Sequence, residues 1–166
     1  MKNSLSLIFL LITVTSLAQK PFAKIVGDLF TIEKDTIELK KFLKDNLFSE
    51  SKKMISFDKV EIKKQKMLTS DEEYFFVLIS DSKNHISIAK WLNRNGDNLY
   101  NKETIDNDDL FENLYQTCVG EQDCQQNVFT LDSKRHWTCG EQMVCLTDEQ
   151  AKLIDCRAYK SIIPVD

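Results

Sequence analysis

The sequence predicts an α+β domain, with a long N-terminal helix packed on an antiparallel meander and a cysteine-stapled hairpin region after it. Three observations predict this. Phe22, Ile25, Leu29, Ile32, Leu39 and Leu43 recur at helical steps, from residue 57 the apolar period shortens to two, and all five cysteines lie from Cys118 to Cys156.

The chain opens with Met1-Lys2-Asn3, an apolar run from Leu5 to Leu17 and the small residues Ser16 and Ala18. This is the pattern of a secretory signal peptide over residues 1–18, cut between Ala18 and Gln19. The run is shorter than the roughly 20 residues a membrane-spanning helix needs, so no permanent anchor is expected. Residues 19–166 are expected to form a single domain, with helix and sheet over 22–104 and a cysteine-rich subregion over 105–166. The net charge is −4 with both signs interspersed, which argues against nucleic acid as a partner.

The helix is expected from about residue 22 to residue 47. Val26, Phe30, Ile37, Phe42 and Leu47 widen its apolar stripe, and Asp35-Thr36 offers a cap that would split it in two. Phe57 to Leu68 then reads as a lysine-rich edge strand, because such charges blunt a sheet edge. Tyr74 to Ser80 is the most apolar strand and the expected centre of the sheet. Ile86 to Leu92 returns after a turn, with Ile86, Ile88 and Leu92 on one face and Ala89 and Trp91 on the other. Asn95-Gly96 is a hairpin signal, placed at the centre of the turn leading to Leu99-Tyr100.

This order of one helix and four strands resembles cystatin-like domains, in which a curled sheet wraps a long helix. The resemblance is one of element order over residues 22–104. No loop of the Gln-Val-Val-Ala-Gly type is present, so it does not imply protease inhibition.

Asp106, Asp108, Asp109 and Glu112 form an acidic cluster that lacks the glycine and glutamate of a calcium-binding loop. It reads as the start of a short helix through Leu110, Phe111, Leu114 and Tyr115. Two similar arms follow, Thr117-Cys118-Val119-Gly120-Glu121-Gln122-Asp123-Cys124 and Thr138-Cys139-Gly140-Glu141-Gln142-Met143-Val144-Cys145, offset by 21 positions. In an exported chain such cysteines are expected as disulfides. The bonded set is expected to be Cys118, Cys124, Cys139 and Cys145, with the pairing open and Cys156 odd.

A structural zinc knuckle is the alternative, although its cysteine pairs typically have two to four intervening residues. A thiol site built from His136, Cys139 and Glu141 is disfavoured, since strand positions three apart point to opposite faces. His136-Trp137 is instead placed on a hairpin turning at Asp132 to Lys134. Thr147-Asp148-Glu149-Gln150 matches a capping box, and Lys160 to Ile163 reads as a final strand stopped by Pro164.

No phosphate loop or Gly-x-Ser-x-Gly turn occurs, and no cofactor, metal site or catalytic residue is assigned. The composition favours a secreted or periplasmic, non-catalytic binding module, with an inhibitor or immunity type as one version. It would contact a protein, peptide or glycan through its sheet face or cysteine loops, a reading that a shallow surface with exposed aromatics such as Trp91 or Trp137 would favour. A secreted enzyme is the alternative.

Overall fold

The computed structural model describes residues 19–51, 54–101, 110–120, 124–141, 156–159 and 161–163. The expected leader through Ala18, the acidic turn at Asp106 to Asp109, Cys145 and the capping box at Thr147 to Gln150 fall outside them.

The predicted long N-terminal helix is not formed, and the chain is mostly β. Residues 23–32 make a hairpin instead, β1 (Ala23–Val26) against β2 (Leu29–Ile32). The apolar spacing there suits a helix or a short strand equally, and side-chain type decides between them. Ile25, Val26, Phe30, Thr31 and Ile32 are β-branched or aromatic residues that fit a pleated surface. Gly27, at φ +63°, takes the first central position of a two-residue turn, where glycine avoids a Cβ clash. The helix is therefore confined to α1 (Thr36–Leu47), capped by Asp35, whose carboxylate accepts from the Ile37 backbone N–H at 2.7 Å. With a hairpin ahead of the helix, the cystatin-like element order does not hold.

The meander follows as β3 (Lys59–Lys66), β4 (Glu73–Asp81), β5 (Ile86–Asn95) and β6 (Asn98–Tyr100), all antiparallel. The turn from β5 to β6 is displaced by one residue from its expected place. Asn95 pairs with Asn98, so Gly96 and Asp97 are central, and of these only Gly96 has positive φ. A short helix α2 (Leu110–Asn113) leads to β7 (Gln116–Val119), which pairs with β5, and β10 (Arg157–Ala158) adds to β7. The sheet centre is β5, which pairs with β4, β6 and β7, whereas β4 pairs only with β3 and β5.

Each face of this sheet carries a separate core. On one face Phe75, Val77 and Ile79 of β4 and Ile86, Ile88 and Leu92 of β5 meet Leu39, Leu43 and Leu47 of α1. On the other, Tyr74, Phe76, Ala89 and Trp91 are covered by a second two-stranded sheet, β8 (Gln126–Leu131) and β9 (Lys134–Cys139), through Val128 and Trp137. The β8–β9 turn centres on Asp132 and Ser133, both at positive φ, one residue short of the expected Asp132 to Lys134.

The main-core face holds a fully buried cation. Lys90 is buried between Ile88 and Leu92, donates to the Asn113 carbonyl at 3.1 Å and lies 4.6 Å from the Tyr115 ring centroid. Those contacts offset the cost of burying its charge.

Leu43 is fully buried on α1, while Ile37 is 76 % exposed. Leu43→Ala is expected to lower unfolding free energy by about 2–5 kcal/mol, and Ile37→Ala to change it by less than about 0.5 kcal/mol. Urea unfolding of both variants checks this.

Candidate functional site

The sulfur atoms join the second sheet to the first. Cys118 on β7 bonds Cys139 on β9, with Cα atoms 5.6 Å apart. Cys124, just before β8, bonds Cys156, just before β10, with Cα atoms 4.9 Å apart. Cys156 is thus paired and not odd, correcting the expected assignment. The pattern of arms does not carry this partner, which the antiparallel pairing of β10 with β7 brings to the site. Cys145 lies outside the described residues. Taken singly, loops of 21 and 32 residues restrict the unfolded chain by about 3.3 and 3.7 kcal/mol in the chain-entropy picture.

Around this bridge runs a buried polar layer. Gln126 donates to Ser87 Oγ at 3.0 Å, Asn127 to the Gly140 carbonyl at 2.8 Å, and Gln65 to the Asn127 side chain. These bonds fix the second sheet over β3, β5 and the Gly140 turn.

The catalytic alternative loses its nucleophile here. Cys139 is buried in a disulfide, His136 stacks on Phe129 at 5.4 Å on the outward face of the hairpin, and Glu141 is exposed. The second histidine, His85, is exposed in the turn before β5. A zinc knuckle fails on the same chemistry, because sulfurs joined as disulfides are not thiolates. Among the described residues no cluster of three His, Cys, Asp or Glu side chains suits a metal.

Trp91 and Trp137 are not surface anchors. Trp91 is buried against Tyr74 at 5.3 Å, and Trp137 stacks on Phe111 at 5.2 Å. Arg135 lies 4.7 Å from the Trp91 ring centroid and ion-pairs with Glu112 at 3.0 Å. Burial pushes the Tyr74 hydroxyl well above the usual phenol range.

What the structure does assemble is a cleft on the α1 side of the main sheet. Ile86 of β5 lies opposite Val119 of β7, and Val119 lies opposite Arg157 of β10. Partners across an antiparallel ladder share a face, so these three form a floor. Phe48, at the end of α1, and Tyr159, two residues beyond Arg157, stack with ring centroids 5.7 Å apart and planes at 2°, forming a wall. Ser51 and Ile55 complete a cleft of about 380 Å3. Tyr159 is 49 % exposed, so the wall is open to solvent. A second hollow of about 370 Å3 beside the start of α1 is lined by Lys20, Lys34, Glu33, Asp35 and Glu38, whose opposed charges define no single ligand type.

The Ile55 side of the cleft is held by two carboxylates. Asp81 is buried and accepts from the Ser56 N–H at 2.8 Å, the Asn84 N–H at 3.0 Å and the Asn84 amide at 2.8 Å. Burial alone would raise its pKa, and those donors outweigh burial to leave it lowered. Asp58 is also lowered, by the backbone N–H and then the hydroxyl of Ser82.

Sequence reading missed this site. Its lining spans residues 48 to 159 across four separate stretches of chain, and none carries a motif. The only available sign was the alternation of Arg157 and Tyr159 opposite Cys156 and Ala158.

Two outcomes are expected. Non-reducing peptide mapping should yield Cys118–Cys139 and Cys124–Cys156 cross-linked fragments, and a Cys118–Cys124 fragment would contradict the pairing. A carboxyl with a lowered folded pKa stabilises above its unfolded value of about 3.9 and loses that contribution as pH falls through the folded value. Urea midpoints should therefore drop on acidification below about pH 5, and Asp81→Asn should flatten that dependence while lowering stability at neutral pH.

The chain matches no family model, no curated protein and no solved structure, so its site is defined by geometry alone.

Proposed function

We propose that this chain is an exported, disulfide-braced binding protein, secreted or periplasmic, that holds its partner at the Phe48–Tyr159 cleft without chemical turnover. Two disulfides suit an oxidising compartment. No helix among the described residues is long and apolar enough to cross a membrane.

The observation that carries the reading is the cleft itself. It is concave, mostly apolar and within the roughly 300–1,000 Å3 range of small-ligand sites. Its floor crosses the consecutively paired strands β5, β7 and β10, and its far edge is tied through Cys156 to Cys124, so it is pre-formed. Pre-organisation of this kind reduces the ordering cost of binding. Among the described residues, the cleft lining holds no cysteine and no histidine.

Methyl and amide NMR spectra titrated with 2-naphthamide, a flat neutral probe, test this. Resonances of Ile86, Val119 and Tyr159 are expected to shift in the wild type. Val119→Trp, which fills the cleft from its floor, is expected to abolish those shifts while the aromatic cluster around Trp91 keeps its native chemical shifts. Probe-induced shifts confined to other parts of the surface would defeat the reading.

A further inference from the structure

We infer that the cleft takes a small apolar acid, with its flat hydrocarbon part against the Phe48–Tyr159 wall and its carboxylate on Arg157. This rests on the cleft being the binding site.

The floor is graded along a single cross-strand row. Ile86 and Val119 are aliphatic, and Arg157 follows directly, so the apolar floor ends in a guanidinium. Among the described residues no carboxylate ion-pairs with Arg157, in contrast to Arg135, which is paired with Glu112. Among the described residues the rest of the lining is Phe48, Ser51, Ile55 and Tyr159, with no acidic side chain. Positive charge at one end of an apolar slot, uncompensated by acid within it, selects an anion carried on an apolar body. A guanidinium fork grips a carboxylate or a phosphate through two oxygens, and the single arginine in the described lining balances the one charge of a carboxylate, whereas a phosphate monoester carries up to two.

The cleft size favours a free small acid over a longer chain. The exposed position of Arg157 sets a modest scale for its effect, because solvent screens the pair.

The test compares 2-naphthoate with its neutral isostere 2-naphthamide on the wild type, Arg157→Gln and Arg157→Lys. Naphthoate is expected to bind the wild type about tenfold more tightly than naphthamide. Arg157→Gln should remove that preference, and Arg157→Lys should restore it in part. Raising salt should weaken naphthoate alone. Equal affinities for the two probes, unaffected by either substitution, would overturn the inference while leaving the cleft as a neutral site. Failure of both probes to perturb Ile86 and Val119 would instead overturn the binding reading beneath it. An acetylated dipeptide ending in phenylalanine that bound more tightly than naphthoate would reassign the carboxylate to a peptide terminus.

Discussion

The structure depends on β5 being buried on both faces and paired along both edges. Ile86, Ile88 and Leu92 serve the core under α1, and Ala89 and Trp91 serve the aromatic core under the second sheet. Its pairing with β4, β6 and β7 makes it the element through which the hairpins connect. A strand so placed leaves no neighbour free to slip, because a one-residue shift would exchange its two faces and put Ser87 and Asn93 in place of the aliphatic row.

The disulfides act on a different part of the problem. The β8–β9 ribbon is a two-stranded sheet, which is marginal by itself in water. It is held by apolar contacts of Val128 and Trp137, by the polar layer around Gln126 and Asn127, and by Cys118–Cys139. Cys124–Cys156 then ties the strand that carries Arg157 to the start of this ribbon. The cleft floor is therefore braced from the opposite face of the sheet, which links the cysteine chemistry to the geometry of the site.

Polar groups fix the loops that surround the cleft. Asp81 and Asp58 collect donors from Ser56, Ser82 and Asn84, and Asn84 also donates to the Met54 carbonyl at 3.1 Å. This holds residues 54–57 against the sheet edge, where Ile55 and Phe57 are buried. The charged Lys90 does a similar task inside the main core by anchoring Asn113, just ahead of β7.

The sequence alone determined the meander and the second hairpin, since alternation over Tyr74–Ser80 and Ile86–Leu92 and the turn residues at Gly96 and Asp132-Ser133 act over a few residues. It also offered the cap at Asp35 as the alternative to a single long helix, and it marked the clustered cysteines as disulfides. Tertiary structure decided three things. The Phe22–Ile32 stretch became a hairpin because its apolar spacing is degenerate, and pairing of Ala23 with Leu99 on β6 joins it to the sheet as strand. Cys124 took Cys156 as partner because β10 returns beside β7, a contact 32 residues distant in the chain. The cleft arose where Phe48, Ile86, Val119, Arg157 and Tyr159 converge, and proximity among such distant residues is a product of chain closure that no local pattern encodes.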